Sequence, residues 1–580
     1  MFLNLLRFAC CLSSSFLSQL IINQNYFSLG AKAVLAIMIC VVIFLTAFVI
    51  TVSPRISLSF MVLLILSVSI VNVYVYAFKG NEFRPEDILA IETAMNVFGG
   101  YEITIYPTVF YGIVLNGIVI FAIWSLPRID IKKRKTIRIG SLLVNIVIIG
   151  LVSLFSSGIH AKYFANGGSR DNGFILNFVL QMKSNKISKP EGYSTDTIES
   201  ILQPYDVKDK GDSAEKKPDI IVIMDESFSD LNNVGKLNTN ISVTPYIDSL
   251  CDNTVKGMAL TSVFGGGTPN SEYELLSGNS LLFLNSGTYV YSQFMHSDCD
   301  SMVSYMKQLG YKTIGMHPYN ASGWNRDKVY SYLGFDETFF GEDFSGYDTV
   351  RDYISDKGMF QKIIELYEKS VETDESLFLF GVTMQNHGGY TYDGSNISND
   401  VQLEGYSEEY SDVNQYLNLI HETDCAVQYL LEYLSQCDRD VVVLFYGDHL
   451  PQLSEEFYTE LYGKEIVDYE EQFVKYEIPF FIWTNYESKE GTVELTSINY
   501  LSNFLYQQAD INLPLYNRFL TNLSEEIPAM NSLGYFSKAE NKFKKFEEAN
   551  GIESELLNEY NNLLYRTLFD NQESNVRLYE

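Results

Sequence analysis

The sequence is poor in the residues from which zinc centres and disulfide scaffolds are built. It holds 7 cysteines and 6 histidines among 580 residues. No two cysteines stand at CxxC or CxxxxC spacing, which argues against a thiolate zinc site. Three cysteines lie in long apolar runs and four are scattered over the second half. Both one disulfide and four unpaired buried thiols are compatible with that second group.

Basic residues are fewer than acidic residues, and the difference is distributed unevenly along the chain. The chain has 41 Lys+Arg against 72 Asp+Glu, a net charge of −31. Residues 1–158 carry 11 basic and 6 acidic side chains, whereas residues 159–580 carry 30 and 66. A surface of that sign repels a phosphate backbone, so we expect no nucleic-acid partner. A hydrophobic content of 47% excludes an intrinsically disordered chain.

Long apolar runs in the first part of the chain lack internal acidic residues. Each is about 20 residues long, which suffices to cross a hydrocarbon core of roughly 30 Å. A fifth run, 2–22, contains Arg7 and a serine patch; a signal peptide is the alternative there, but no clear cleavage site follows. We therefore predict five spans, at about 2–22, 31–52, 56–78, 106–127 and 137–158.

The basic residues of the short loops predict the orientation of these spans. The strongest basic cluster, at 128–135, is expected on the cytoplasmic side. Counting spans from that loop places the N-terminus in the cytoplasm. Everything after residue 159 then lies outside the cell membrane, and the strongly acidic part of the chain becomes an extracellular domain.

The second part of the chain reads as an α/β domain with a mainly parallel sheet. A polar connector at 159–217 precedes a domain at 218–530, and a helical tail is predicted at 531–580. Short β-branched runs, apolar on both faces, alternate with amphipathic segments such as 300–309 and 422–434, which favours strands covered by helices. The predicted strands are 219–224, 312–316, 376–383, 440–446 and 478–484.

Acidic residues follow two of these strands directly. Asp225 and Glu226 end the first strand, and Asp448 and His449 end another. Ligands gather at the carboxyl ends of strands in such sheets. Glu226, Asp448 and His449 together offer an oxygen-rich site with one nitrogen, which suits Mn²⁺ or Mg²⁺ better than structural zinc. Each pair alone could equally be a helix cap.

A glycine-rich segment supplies a candidate nucleophile. Gly265, Gly266 and Gly267 precede Thr268. Glycines allow a close backbone approach, and Thr268 can open a helix whose N-terminus favours an anion. A hydroxyl held on a metal ion becomes a usable nucleophile. The alternative is a glycine turn with a threonine cap. A Walker A loop is excluded because no lysine follows the glycines.

These motifs resemble the lipoteichoic acid synthases and related phosphoglycerol transferases of the alkaline phosphatase/sulfatase superfamily. The resemblance covers most of residues 1–510. It is carried by DESF at 225–228, GGGTPNSEYE at 265–274, the segment 317–327, QNH at 385–387, YGDH at 446–449 and the loop 83–101.

The resemblance implies a role for each matching position. Thr268 would be the nucleophile that accepts phosphoglycerol covalently. One Mn²⁺-like ion would be held by Glu226, Thr268, Asp448 and His449. The phosphoglycerol pocket would be lined by His317, Trp324, Arg326 and His387. The chemistry agrees, since Arg326 can fork onto phosphate oxygens and His387 can donate a hydrogen bond or shuttle a proton.

The chain departs from the family pattern at two positions. Tyr319 stands where the family often has an acidic residue, and Asp225 stands beside Glu226 where synthases typically have histidine or a similar polar group. Sulfatase activity is not expected. Its signature needs Cys or Ser followed by Pro and Arg, and the segment around Thr268 lacks both Cys and Arg.

The resemblance implies transfer of glycerol phosphate from phosphatidylglycerol to a cell-envelope acceptor. A glycolipid that carries a growing polyglycerolphosphate chain is the first choice of acceptor, and a cell-wall polysaccharide that receives single groups is the second. A phosphoethanolamine transferase is a third possibility, although such enzymes show more metal-ligand histidines. The non-enzyme alternative is a binding ectodomain that has lost the chemistry. An adhesin is disfavoured because repeats and a Ser/Thr-rich stalk are lacking.

Overall fold

The computed structural model describes most of the chain as two compact units. One consists of Met1–Ile88 with Ile103–Ile187, the other of Leu89–Glu102 with Ser188–Glu580. The described residues are 10–11, 30–79, 82–88, 91, 105–125, 131, 133–159, 167–184, 187–206, 217–285, 287–391, 396–570 and 577–579.

Apolar helices dominate the first unit. Among the described residues, four are long and apolar enough to cross a membrane. They are α1 (Ala31–Thr51), α2 (Pro54–Lys79), α3 (Pro107–Ser125) and α4 (Arg134–Phe155). Two shorter helices follow, α5 (Gly167–Asn172) and α6 (Phe174–Ser184).

The four long helices coincide with four of the predicted spans to within three residues at each end. The predicted first span, 2–22, lies outside the described residues apart from Cys10 and Cys11. An apolar helical region followed by an α/β domain is therefore confirmed, with four of the five predicted spans represented by described helices.

An eight-stranded sheet forms the centre of the second unit. The strands are β1 (Asp219–Asp225), β2 (Thr254–Leu260), β3 (Lys312–His317), β4 (Glu337–Phe340), β7 (Leu377–Val382), β8 (Val441–Gly447), β9 (Glu477–Thr484) and β10 (Gly491–Ser497). Their order across the sheet is β10-β2-β9-β8-β1-β7-β3-β4. Strand β9 runs antiparallel to both of its neighbours, and every other pair is parallel.

The five predicted strands are confirmed as β1, β3, β7, β8 and β9. Strands β1, β7 and β8 are buried at every residue, as expected for apolar runs covered on both faces of a parallel sheet. The three strands that sequence reasoning missed are β2, β4 and β10. In β2 and β10 lysine, glycine, threonine and glutamate interrupt the apolar pattern, because these strands lie towards a half-exposed edge.

Helices connect the strands of this unit. They are α7 (Thr195–Leu202), α8 (Pro245–Ser249), α9 (Thr268–Ser277), α10 (Val290–Gln293), α11 (Met302–Gln308), α12 (Arg326–Leu333), α13 (Asp356–Glu372), α14 (Ser411–Leu434), α15 (Glu455–Tyr462), α16 (Leu501–Gln508) and α17 (Leu515–Glu526). A two-stranded ribbon joins β5 (Thr349–Val350) to β6 (Tyr353–Ile354).

The predicted helical tail, 531–580, is corrected in part. Its beginning belongs to an antiparallel sheet of β11 (Ala529–Met530), β12 (Tyr535–Ser537) and β13 (Lys542–Lys544), and only α18 (Gly551–Phe569) is a long helix. The apolar residues near 536–543 have helical spacing, but tertiary pairing decides their state. Tyr560 of α18 is buried and donates its hydroxyl to the Gly278 carbonyl oxygen at 3.2 Å, so the tail packs on the domain.

Candidate active site

The carboxyl ends of β1 and β8 form the base of the site. The two strands are parallel neighbours, and Asp225 lies opposite Gly447. Glu226 and Asp448 therefore leave the sheet at the same edge. A Cβ at Gly447 would stand 1.9 Å from the carbonyl oxygen of Phe228, so only glycine allows this approach.

Glu226, Asp448 and His449 meet at this edge and are called the strand-end cluster below. One potential ligand atom of each lies within 4.8 Å of the others. His449 Nε2 is 3.2 Å from Asp448 Oδ2 and 3.7 Å from Glu226 Oε1. All three side chains are buried. Their donor set of two carboxylates and one imidazole is the one that the sequence predicted.

The strand-end cluster fits a divalent cation on chemical grounds. Asp448 Oδ2 and His449 Nε2 have no hydrogen-bond partner among the described residues although both are buried. Burial, and then the negative charge of Glu226, raise the pKa of Asp448 to about 7. Two buried carboxylates and an unused imidazole nitrogen are a costly arrangement unless a cation lies between them.

Backbone contacts aim the ligand atoms at one point. Asp448 Oδ1 accepts from the backbone N–H groups of Ser227 at 2.7 Å and His449 at 2.8 Å, which leaves Oδ2 for the cluster. His449 Nδ1 lies 3.0 Å from the Leu450 carbonyl oxygen. A carbonyl only accepts, so Nδ1 carries the proton and Nε2 presents its lone pair to the cluster.

Thr268 joins the strand-end cluster from a different element. Helix α9 begins at this residue, as the sequence predicted, after glycines with φ of 67°, 146° and 103° at Gly265, Gly266 and Gly267. These positive φ angles, which glycine adopts readily, bring the chain up to the sheet edge. Thr268 Oγ1 donates to Glu226 Oε2 at 3.2 Å. The structure thus brings together Glu226, Thr268, Asp448 and His449, whose roles as metal ligands and nucleophile stay predictions.

Two hydroxyl groups that sequence reasoning missed bind the end of β8, one from α9 and one from the residue after β2. Thr261 Oγ1 and Ser271 Oγ each donate to the backbone carbonyl oxygen of Asp448 at 2.8 Å. Both side chains are fully buried. Ser271 lies within the glycine-rich motif three residues after Thr268, so its position on the inner face of the helix could have been read from the sequence.

His317 lies at the end of β3, and His387 lies on the loop that follows the neighbouring strand β7. His317 is the last residue of β3, and its Nδ1 lies 3.0 Å from the Val382 carbonyl oxygen. Burial, and then the positive charge of Arg326, hold the pKa of His317 well below its usual value. Burial also lowers the pKa of His387. Both rings are neutral near pH 7, a state that can donate one hydrogen bond and accept another.

Arg326 lies in a buried ion pair. Its Nε and Nη2 donate to Glu272 Oε1 at 2.9 and 2.5 Å. Tyr330 and Tyr291 donate their hydroxyls to Glu272 Oε2 at 2.9 and 3.4 Å. We call Glu272, Arg326, Tyr291 and Tyr330 the ion-pair cluster. The predicted contact of Arg326 with phosphate stays a prediction, since the two guanidinium hydrogen bonds described here go to a protein carboxylate.

Trp324 lies on a strained turn next to this arginine. Trp324 and Asn325 both have left-handed backbones, with φ of 58° and 59°. Such conformations are costly for residues with a side chain and cluster at functional sites. The Trp324 ring is half-buried, and its centroid lies 4.6 Å from that of Tyr289. Its predicted contact with glycerol is untested.

Asp225 belongs to a polar network behind the strand-end cluster. Its two carboxylate oxygens accept from Asn386 Nδ2 at 2.8 Å and Thr383 Oγ1 at 3.2 Å. Asn386 Nδ2 also reaches Thr423 Oγ1, which donates to Asp356 Oδ2 at 2.5 Å. Burial, and then the charge of Asp356, raise the pKa of Asp225 well above its usual value. Asp225 therefore supports the strand ends rather than joining the donor set.

Arg351 is a third residue that sequence reasoning missed. It has a left-handed backbone, with φ of 54°, and its Nη2 donates to the carbonyl oxygens of Gln385 and His387, both at 2.6 Å. Its Nη1 donates to the Gly389 carbonyl oxygen at 3.4 Å, and the Tyr353 ring lies 5.2 Å away. Arg351 thereby holds the loop that carries His387. No local sequence signal links residues so far apart.

Comparison with known proteins places this geometry in a family. The family model described as Sulfatase matches residues 218–511. A protein of Rhizobium meliloti (strain 1021), named for cyclic beta-1,2-glucan modification, is 29% identical over 358 residues, 60% of this chain and 54% of its own. Lipoteichoic acid synthase 1 of Bacillus subtilis (strain 168) is 25% identical over 297 residues, 50% of this chain and 44% of its own.

Among solved structures, the phosphoglycerol transferase GacH of Streptococcus pyogenes, in complex with sn-glycerol-1-phosphate, is 25% identical. It superimposes with a TM-score of 0.54 over 66% of this chain and 95% of its own. The chain spans about half the length of the two curated relatives that it matches. The sulfatase match covers half of the chain and includes every residue of the strand-end cluster and Thr268. The chain therefore belongs to the sulfatase family.

Proposed function

We propose that the protein is a membrane-anchored, metal-dependent transferase that moves a phosphoglycerol group through a covalent intermediate on Thr268. The observation that carries this proposal is the hydrogen bond from Thr268 Oγ1 to Glu226 within the buried strand-end cluster. The strand-end position of the cluster and the relatives named as phosphoglycerol transferase and lipoteichoic acid synthase support it.

In the first step, the Thr268 oxygen bonds to the phosphorus of phosphatidylglycerol. The bond from that phosphorus to the diacylglycerol oxygen breaks, and diacylglycerol leaves as the alcohol. The Thr268 proton already points at Glu226 Oε2, so this carboxylate is placed to take it, and in net terms the proton ends on the leaving oxygen. The product is a glycerophospho-Thr268 ester.

In the second step, a hydroxyl of a cell-envelope acceptor bonds to the same phosphorus. The ester bond to Thr268 breaks, and the acceptor proton returns to Thr268 Oγ1. A neutral imidazole at His387 or His317 can pass a proton at this stage, since burial keeps both rings uncharged. A glycolipid and a cell-wall polysaccharide are the two acceptor classes considered.

Glu226, Thr268, Asp448 and His449 would hold one divalent cation, for which Mn²⁺ is the first candidate and Mg²⁺ the second. When bound, the cation supplies positive charge to the phosphoryl oxygens and lowers the pKa of a coordinated hydroxyl. The backbone contacts of Asp448 and His449 hold the ligand atoms in place before the ion arrives.

We also propose that the catalytic unit lies outside the cell membrane, with the N-terminus in the cytoplasm and about five spans in between. The basic residues that follow α3 support this orientation. It places the site on the side of the membrane where an envelope acceptor is found. We retain the predicted divisions at 159–217, 218–530 and 531–580 as connector, catalytic domain and tail.

The test uses the full chain reconstituted in vesicles that contain fluorescent phosphatidylglycerol. We expect Mn²⁺-dependent release of diacylglycerol. Thr268→Ala should lower it at least about a thousandfold, the scale seen when a catalytic nucleophile is removed. Thr268→Ser keeps the hydroxyl and should keep measurable activity, and the exposed Thr492→Ala serves as the matched control.

Retained release in folded Thr268→Ala would overturn the covalent mechanism. Release only from phosphatidylethanolamine, with ethanolamine in the product, would identify the phosphoethanolamine alternative. A folded wild-type chain that binds no metal ion and cleaves neither lipid would favour a binding ectodomain.

A further inference from the structure

A row of four aromatic rings lies along one side of the site, and two of them, Tyr319 and Tyr353, have no part in the mechanism above. The ring centroids of His317 and Tyr319 are 6.3 Å apart, those of Tyr319 and Tyr353 are 6.1 Å apart, and those of Tyr353 and His387 are 5.6 Å apart. His317 and Tyr353 are buried, whereas His387 and Tyr319 are half-buried. Of the two half-buried rings, Tyr319 is the one without a part in the proposed proton transfer, and it offers ring surface to a ligand.

The row stands close to the strand-end cluster. The charge of Glu226 acts on both His387 and Tyr353. Tyr353 packs against Arg351, which holds the His387 loop by its backbone carbonyl groups. The ring of Tyr319 thus packs against a buried neighbour, Tyr353, that lies close to the proposed reacting centre.

The charges around the site disfavour a polyanionic acceptor. Residues 159–580 carry 66 acidic against 30 basic side chains. Two arginines of the site are engaged within the protein, Arg326 with Glu272 and Arg351 with backbone carbonyl groups. A chain of glycerol phosphates would meet a field of its own sign, whereas an uncharged ligand would not.

We propose that Tyr319, supported by Tyr353, forms an acceptor subsite that takes an uncharged sugar ring. Apolar C–H faces of a sugar pack on an aromatic ring, and the phenol hydroxyl can hydrogen-bond the sugar hydroxyls. The inference depends on the proposed function. A sugar hydroxyl oxygen bonds to phosphorus, the bond from phosphorus to Thr268 Oγ1 breaks, and the sugar hydroxyl proton passes to Thr268 Oγ1.

Tyrosine at 319 also accounts for one departure from the family pattern. A carboxylate at this position would add negative charge beside the phosphoryl group and offer no surface for stacking. A tyrosine supplies the surface and keeps its proton, since burial raises the pKa of Tyr319 above its usual value. Tyrosine at this position therefore offers a sugar ring a stacking surface that a carboxylate would lack.

The experiment measures acceptor KM and donor KM separately on the full chain in phosphatidylglycerol vesicles. The probes are a neutral glucan oligosaccharide and a glycerol phosphate oligomer. We expect transfer to the glucan, with Tyr319→Ala raising the glucan KM about tenfold and Tyr319→Trp restoring it. Tyr429→Ala is the control, because Tyr429 is 37% exposed on α14 and lies outside the row.

The outcomes separate this inference from the proposed function. Absence of diacylglycerol release by wild type would refute the function itself. Release together with an unchanged glucan KM in Tyr319→Ala would overturn only the acceptor subsite. A rise in the donor KM would reassign Tyr319 to the donor pocket. A ladder of products on the glycerol phosphate oligomer, with none on the glucan, would overturn the uncharged acceptor.

Discussion

Helix α9 connects two buried charged clusters that differ in how they are satisfied. Its first residue, Thr268, joins the strand-end cluster, and Glu272, one turn later, joins the ion-pair cluster. In the ion-pair cluster a carboxylate meets a guanidinium and two phenols. In the strand-end cluster two carboxylates meet, and two buried ligand atoms have no hydrogen-bond partner among the described residues.

The difference separates a structural role from a functional one. Buried groups whose charges and hydrogen bonds satisfy one another stabilise one arrangement of the fold and require no ligand. Buried groups of like charge whose ligand atoms lack hydrogen-bond partners are a sign of function, because a bound ligand can complete them. Both clusters contain family-motif residues, and burial alone would not have told them apart.

The largest expected effect on stability comes from breaking the ion-pair cluster. Arg326→Met leaves the Glu272 carboxylate buried without its cation, and we expect a loss of about 3–5 kcal/mol in unfolding free energy. Chemical unfolding of the second unit, followed by tryptophan fluorescence, measures this loss. The double variant Arg326→Met/Glu272→Leu removes both charges and should recover much of it; a double variant as unstable as the single one would contradict the assignment.

A smaller effect on stability is expected from the metal ion, and the size of this effect depends on pH. The pKa of Asp448 is raised from 3.8 to about 7 without the ion. A raised carboxyl pKa contributes stability that is complete below about pH 3.8 and is lost as the pH rises through about 7. Chelated protein should therefore melt at a lower temperature at pH 8 than at pH 5.

Excess Mn²⁺ should oppose that fall, because the ion binds the deprotonated cluster. At one hundred times Kd it adds about 2.7 kcal/mol at pH 8 and less at pH 5. Thermal unfolding with and without chelator measures both effects. In Asp448→Asn the Mn²⁺ stabilisation should vanish, and an unchanged response in that variant would place the ion elsewhere.

The smallest effect tests the contact that joins α9 to the strand-end cluster. Ser271→Ala removes one of the two hydroxyl groups on the Asp448 carbonyl oxygen and should cost about 1 kcal/mol. Ser331→Ala, on the exposed face of α12, is the matched control. Equal losses in the two variants would show that the buried contact adds nothing.

Local pattern was sufficient for the parts of the site that lie next to a strand or a glycine turn. Strands β1 and β8 are continuous apolar runs, so the residues after them could be named in advance. Thr268 was marked by three glycines and begins the helix as expected. The topology of a parallel sheet then brings the ends of β1 and β8 to one edge.

Residues that act through long-range contacts have no local sequence pattern that identifies them. Arg351 holds a loop that is more than thirty positions away in the sequence. Thr423 and Asp356 complete a network around Asp225 from two different helices. The residues at 535–544 pair as strands because partners are available in the folded domain. These arrangements depend on tertiary structure, which periodicity does not encode.

The distance along the chain between the parts of the strand-end cluster has a consequence for biosynthesis. Ser227 and Asp448, joined through a hydrogen bond, are 221 residues apart in sequence. A ribosome makes β8 long after the apolar helices near the N-terminus. No nascent chain shorter than 449 residues contains the complete donor set. Metal uptake at the proposed site would thus follow synthesis of the apolar helices and of most of the sulfatase domain.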